Sequence, residues 1–230
     1  KILIGKELTR GLGAGGKAEV GREAAKESIS ELKKAVVGSD MTFIIGGEGG
    51  GTATGAMPVI AQLAKETGAV VIGVVTMPFE CEKARIDKAE FGLQELREQV
   101  DTVIVIDNNR LVDIAGQLPI QQAFAVANEL ISTMIKGIVE TITLPSLINL
   151  DYADVSSIMK KGEVAVIGIG ESDSSDRVNE AVRQALTHPL LDVDYKGATG
   201  ALIHITCGPD MKLEEFSQIG KLVTENISAD

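Results

Sequence analysis

"MTFIIGGEGGGTATGAMPVIAQLAKETGAVVIGVVTMP", Met41 to Pro78, decides the reading of the fold. It opens on a short apolar run, "MTFII", and closes on a second, "AVVIGVV", each bounded by glycine or proline. Runs of this kind read as buried strands of a parallel sheet. Between them "AMPVIAQLAKETG" has helical spacing, with Gly68 as its stop. The stretch "GGEGGGTATG", Gly46 to Gly55, places six glycines in ten residues between that strand and that helix. Ordered glycine costs chain entropy, so a run this dense asks what it wraps around. A strand–loop–helix unit gathers free backbone N–H groups at the helix N-terminus, where they and the helix dipole favour an anion such as phosphate. Thr52 and Thr54 can add hydroxyl hydrogen bonds. No Gly-Lys-Ser/Thr follows, so this is not a Walker A loop. The alternative is a close strand–helix crossing with no ligand.

Working outward, the same alternation repeats. "EVGREAAKESISELKKAVVG" reads as one helix with Ala25, Ile29, Leu32 and Val36 on one face and a stop at Gly38. "RIDKAEFGLQELREQV" places Ile86, Ala89, Leu93, Leu96 and Val100 on one face, and "DTVIVID" follows as a strand. Repeating β and α patterns at this spacing indicate a doubly wound α/β sheet. A long helix is expected from about Ile120 to Ile142; apolar residues surround much of its second half, as in a helix buried on several sides. Beyond it, "VAVIGIG" and "GALIHIT" read as strands, with helices near "DRVNEAVRQAL" and from about Leu213, making a smaller α/β domain.

Two further glycine stretches carry less information. "GLGAGG", Gly11 to Gly16, fits G-x-G-x-x-G before a helix and reads equally as a second phosphate-facing loop or a flexible turn. "GIGESDS", Gly168 to Ser174, reads as a strand end and helix cap. The 230 residues carry 33 acidic and 22 basic side chains, a net charge of −11. That balance argues against a nucleic-acid or anionic-membrane surface, and leaves any phosphate to be held without a basic field. Cys81 and Cys207 need no disulfide, which is compatible with a reducing compartment. No apolar run approaches membrane-spanning length, so no direct membrane insertion is expected.

"LTRGLGAGG", "GGGTATGAMPVIAQLAKETGAVVIGVVTMPF", "LINLDYADV" and "PLLDVDYKGATGALIHIT" occur in an order and spacing that resemble the FtsZ family of cell-division GTPases, in the tubulin superfamily, and the archaeal versions most. The resemblance implies an α/β fold of three parts. They are a Rossmann-like GTP-binding domain (residues 1–118, incomplete at its start), a long central helix (119–143), and a smaller α/β C-terminal domain (144–230, incomplete at its end). It places the phosphate loop on Gly49, Gly50, Gly51, Thr52, Ala53, Thr54 and Gly55, and the γ-phosphate-sensing loop on Ala14, Gly15 and Gly16. Glu82 and Arg85 fall on the ribose and guanine side, while Phe124 and Asn128 stack on and hydrogen-bond the base. Without the resemblance Phe124 reads as a core aromatic.

The catalytic loop falls on Asn149, Asp151 and Asp154. Asp151 and Asp154 share one side of a helical turn and could orient a water, or else cap a helix with an acidic first turn. From Asn128 to Ile142 is about 21 Å of helix at 1.5 Å per residue. Base contacts and carboxylates on opposite sides of that span cannot meet on one nucleotide within a monomer. They meet if subunits stack head to tail, a heterologous contact that generates filaments. The expected ligands are GTP and GDP, with Mg2+ held through the nucleotide phosphates and no protein metal site. The expected partners are further copies of the chain and division-site accessory proteins, and the expected location is the cytoplasm at the division site.

Some residues depart from the family pattern. Ala53 stands where the family has glycine, so its Cβ is expected to crowd the phosphate or to demand a φ that alanine resists. Glu48 stands where the family is usually apolar, an anion beside an anion site. The chain is expected to begin in or just before the strand leading to "LTRGLGAGG", without the family's first nucleotide loop, and to end short of its closing strands. Two alternatives follow: a catalytically weak assembly or regulatory relative, and a dinucleotide-dependent enzyme. The second is disfavoured because neither His188 nor His204 is placed for acid–base work.

Overall fold

A computed structural model describes residues 1–145, 150–160, 164–187 and 197–227, which fall into two compact units. The first comprises Lys1–Asn109 and Met159–Ala165. Its four parallel strands, β1 (Met41–Gly47), β2 (Val70–Met77), β3 (Thr102–Asp107) and β4 (Val164–Ala165), lie side by side in chain order. Met41 pairs with Val70, Ile72 with Thr102, and Val103 with Val164. The fold class read from the sequence is the one observed.

Position in the sheet decides burial. β2 is central, and every residue from Val70 to Val75 is buried. β1 pairs only with β2 among the described residues, so Ile44 turns inward while Ile45 remains 52% exposed. The expectation of a strand buried on both faces fails for β1 because that depends on a neighbour at each edge. A strand expected at the start of the chain is also missing: residues 1–5 form no ladder.

Helices α3 (Thr52–Glu66) and α4 (Ile86–Arg97) pack on the sheet, and α1 (Ala18–Glu27) and α2 (Ile29–Val36) pack against α3. The single helix expected over "EVGREAAKESISELKKAVVG" is broken at Ser28 (φ −104°, ψ 19°), whose N–H turns back to the Ala25 carbonyl. The kink re-aims the second segment, so Leu32 and Val36 stay buried while Ile29 is 45% exposed. On α4 the expected apolar face is observed, with Ala89 and Leu96 fully buried. Met57, Leu63, Val71, Val75, Leu96 and Val103 lie at the centre of the core. Each large apolar side chain so buried contributes about 1.5–3 kcal/mol.

α3 begins four residues earlier than the apolar pattern suggests, because Gly51 already has helical φ/ψ (−108°, −47°). Thr52 to Gly55 are therefore its first turn rather than loop. A Cβ on Gly55 would fall 1.9 Å from the Ala18 carbonyl oxygen, and one on Gly21 would fall 2.2 Å from that of Gly51. Backbone approach at two glycines thus sets the crossing of α1 and α3.

The second unit comprises Arg110–Ile158 and Val166–Asp230. α5 (Asn108–Ala115) leads into it, and α6 (Ile120–Thr143) is the long helix expected. Its buried positions are Ala127, Met134 and Ile138, a narrower stripe than the expected burial on several sides; Val139 is 39% exposed. Then follow α7 (Tyr152–Met159), α8 (Arg177–Leu186) and α9 (Leu213–Ile227). Of the expected strand "VAVIGIG", only β4 forms. Gly168 and Gly170 instead lie against α8, where Cβ atoms would fall 1.7 and 1.8 Å from the Ala185 and Ala181 carbonyl oxygens. "GALIHIT" is not a strand either, since no described segment pairs with it. His204 there bonds the Thr141 hydroxyl of α6 at 2.8 Å, a structural role. The helix cap expected from "GIGESDS" is not observed: the N-cap of α8 is Asp176, which makes no side-chain cap bond, and Ser172 and Ser174 instead donate to the Glu180 side chain within the helix. Arg177 donates to both carboxylate oxygens of Glu215 (2.7 and 2.9 Å) and to Asp210 (2.7 Å), joining α8 to α9.

Candidate functional site

In the first unit, β1 delivers the chain into Glu48–Gly51 and α3 leaves it, with the Gly51 N-cap offering no side chain to the first turn of N–H groups. Gly49 has φ +85°, and a Cβ there would fall 2.8 Å from the Arg85 carbonyl oxygen, so glycine is required on both counts. A Cβ on Gly51 would fall 2.7 Å from Lys17 N and 3.0 Å from Gly16 N. The two glycine loops thus lie against each other, and Ala14 N–H donates to Thr52 Oγ1 at 3.3 Å. Gly15 and Gly50 face open space, with no atom within 4 Å of an added Cβ. At these positions the backbone is open to a ligand, and Gly13 and Gly16 are nearly as open, with one side-chain atom each at 3.9 and 3.7 Å. A cavity of about 160 Å³ lies beside Ala14 and Thr52, walled also by the apolar Ile2, Leu3, Ile4 and Ala24; neither Gly15 nor Gly50 lines it.

Ala53 does not crowd this surface. It lies in the helix, carries no positive φ, and packs against the core facing Gly46. Both expected penalties are absent because the residue belongs to α3 and its methyl points to the sheet. Thr52 and Thr54 also divide. Thr52 is exposed, whereas Thr54 is fully buried, its hydroxyl without a partner, so Thr54 can offer a ligand only its backbone N–H.

Glu82 and Arg85 stand in a 3₁₀ turn, Glu80–Arg85, against Gly49. The Glu82 carboxylate accepts from Phe79 N–H (3.1 Å) and from the Arg85 guanidinium (2.7 Å), so it is engaged within the turn. Sequence reading missed Lys88, one turn beyond Arg85, whose Nζ donates to the Gly16 carbonyl at 2.9 Å. Its signal was a lone basic residue in the first turn of the helix beside the loop. Sequence reading noticed Glu48 but not its setting. It is 5% exposed, neither carboxyl oxygen has a hydrogen-bond partner among the described residues, and burial pushes its pKa up. The Thr54 hydroxyl and the Gly49 N–H pull the other way and nearby Glu95 adds to the rise; none makes a bond of ordinary geometry to the carboxyl.

Phe124 and Asn128 belong to the second unit, one turn apart on α6; Phe124 is 41% exposed and is not a core aromatic. Asp151 and Asp154 lie at the start of α7, where Asp154 N–H donates to Asp151 Oδ1 (2.9 Å) and Asp151 N–H to Asp154 Oδ2 (3.3 Å). This reciprocal cap realises the helix-capping reading and leaves both residues exposed. Asn149 lies outside the described residues.

A parallel sheet whose strand runs through a glycine loop into a helix N-terminus, beside a second glycine loop, is the α/β arrangement of the nucleotide-binding class. Residues 1–116 match the GTPase domain of the Tubulin/FtsZ family, and residues 163–230 match the FtsZ family C-terminal domain. The chain is 54% identical over 233 residues to cell division protein FtsZ 2 of Methanocaldococcus jannaschii, covering 100% of this chain and 61% of that protein. It is 59% identical over 228 residues to FtsZ 1 of Pyrococcus furiosus, covering 99% of this chain and 61% of that one. An empty FtsZ dimer of M. jannaschii superposes with a TM-score of 0.91 at 52% identity, covering 98% of this chain and 66% of that one. The chain belongs to the tubulin/FtsZ family. It spans 61% of the length of these two curated relatives.

Proposed function

We propose that this chain binds and hydrolyses GTP as part of a cytoskeletal protein that polymerises head to tail for cell division. The observation that carries the reading is the joined pair of glycine loops, linked by the Ala14–Thr52 hydrogen bond and open above Gly15 and Gly50. Backbone N–H groups of Gly49 to Gly55 take the phosphates, and Ala14, Gly15 and Gly16 meet the terminal one. Such donors act without a basic field, which suits a chain of net charge −11. Glu82 and Arg85 border the ribose side, and Phe124 and Asn128 take the base. The donors at the loops are N–H and hydroxyl groups, suited to an anion rather than a cation. Mg2+ therefore fits as an ion carried by the nucleotide oxygens and waters, where it would neutralise charge on the transferred phosphoryl group.

Asn149, Asp151 and Asp154 would orient the attacking water on the nucleotide of the next subunit. Supporting this, α6 runs unbroken from Asn128 to Thr143, about 22 Å of helix, before the chain goes on to the aspartates. The relative solved as a dimer supports self-association. We assign residues 1–118 to the nucleotide domain, 119–143 to the central helix and 144–230 to the activating domain. The protein would work in the cytoplasm at the division site with accessory division proteins; among the described residues no helix is long and apolar enough to cross a membrane.

The test is phosphate release from GTP, with Mg2+, against protein concentration. The expected rate is near zero up to a threshold and linear above it. A rate proportional to concentration from the origin would mean a self-contained site and would overturn the placement of Asp151 and Asp154. A mixture of Asp154→Ala with a loop mutant should also recover turnover relative to either alone.

A further inference from the structure

Glu48 is a buried carboxyl that the proposed reaction does not use. It sits directly beneath the phosphate loop, and α4 makes room for it: a Cβ on Gly92 would fall 2.4 Å from Glu48 Oε2 and 2.4 Å from the Thr54 methyl. Any side chain at position 92 would evict the carboxyl, so the notch exists because residue 92 is glycine. The groups facing it are few. α3 contributes the orphaned Thr54 hydroxyl, β2 the Thr76 carbonyl that accepts Glu48 N–H at 2.9 Å, and α4 the like-charged Glu95, itself paired with Arg22 of α1. Among the described residues no cation is directed at Glu48. The Thr54 hydroxyl and the Gly49 N–H approach the carboxyl without a bond of ordinary geometry, so a buried carboxylate is poorly compensated, whereas a neutral carboxylic acid fits such a place and brings a hydrogen of its own.

The backbone leaving Glu48 has little freedom to absorb a shift. Gly49 is pressed against Arg85 and Gly51 against Lys17, both at distances that exclude even a methyl group. A change in the Glu48 side chain is therefore passed to the loop itself. We propose that Glu48 is a proton-gated positioning residue: protonated, it fills the notch over Gly92 and holds Gly49–Gly51 in place for nucleotide, and deprotonated, it leaves the notch and lowers nucleotide affinity. Ionisation would also put a negative charge beneath an anion site. This inference rests on the nucleotide reading of the loop given above.

The sign follows from burial, which raises the pKa of Glu48 in the folded protein above its ordinary value of 4.5. The contribution of Glu48 to stability is then complete below that value and lost as pH rises through the folded pKa. Two quantities are measured from the ordinary value of 4.5 up to about pH 8.5: the melting temperature of the ligand-free chain, and the GTP dissociation constant with Mg2+. In the wild type the first should fall and the second rise, by about tenfold, or about 1.4 kcal/mol, relative to Glu48→Gln, which keeps the shape but cannot ionise. Glu48→Leu is a second neutral variant and should match Glu48→Gln in both slopes. Equal slopes in wild type and Glu48→Gln would overturn the proposal. Wild-type binding that is tight but independent of pH would overturn the coupling to nucleotide while leaving the nucleotide reading intact. If neither protein binds GTP at any pH, the coupling and the nucleotide reading both fall, while the melting slopes still report whether Glu48 titrates in its notch.

Discussion

Gly55→Ala tests whether the α1–α3 crossing is set by backbone approach. The added Cβ would lie 1.9 Å from the Ala18 carbonyl oxygen and 2.6 Å from Arg22 N. An ordinary C···O contact is about 3.3–3.6 Å, so α1 must retreat by about 1.5 Å. The obstacle is main chain inside a helix and cannot rotate aside, which places the cost toward the upper end of the about 1–3 kcal/mol typical of overpacking. Replacing glycine in a helix returns about 1 kcal/mol of propensity, leaving a net loss of about 2 kcal/mol. Urea unfolding followed by far-UV circular dichroism reads this as a lower midpoint at unchanged slope, a shift of about 1 M for a slope near 2 kcal/mol/M. The control is Gly220→Ala on α9, where no atom lies within 4 Å of the added Cβ, and stability should rise by up to about 1 kcal/mol. A Gly55→Ala protein as stable as the wild type would refute the reasoning. So would a change that matched the Gly220 variant in sign.

Asp154→Asn keeps an oxygen that can accept from Asp151 N–H, so stability should hold within about 0.5 kcal/mol while GTP turnover falls about a hundredfold. Unchanged turnover would leave the pair as a helix cap alone. Hydrogen bonds from Arg177, and then from Lys212 N–H, hold the Glu215 carboxyl down at about 2 from its ordinary 4.5. Its contribution is present above the ordinary value and lost as pH falls toward the lower one, so the α8–α9 contact should loosen across that window. Glu215→Gln should flatten this acid limb in amide hydrogen exchange.

What could be read in advance was whatever depends on local pattern. The strand runs, the period of α4, the ends of α6 and the stop at Gly68 all depend on spacing along one segment. The misreadings arose where a distant group decides. Ile45 is exposed because among the described residues β1 pairs on one side only, a fact about the sheet rather than about "MTFII". Ile29 is exposed because Ser28 breaks a helix that periodicity carries straight through. The concern over Ala53 came from placing it in a loop, and one helical residue at Gly51 reverses the direction of its methyl. At the site, the glycine runs were visible as anion candidates. The burial of Glu48 could not be seen, because its notch is made by Gly92, which lies in another element. Lys88 reaches Gly16 across 72 positions of sequence, a separation no local pattern reports.

The chain leaves the first unit after Asn109 and returns to it at Met159, so its sheet is completed by a segment made much later than its first three strands. β4 is only two residues long, and the Thr102 hydroxyl donating to the Met159 carbonyl helps fasten that return. At about 10 residues per second of synthesis, β3 waits roughly 6 s for its outer neighbour. During that interval it is a nascent edge, open to wrong pairing. After folding the asymmetry persists: the amides of Val164 and Ala165 should exchange with solvent well before those of the central β2. The strand that the ribosome delivers last should thus also be the first to open.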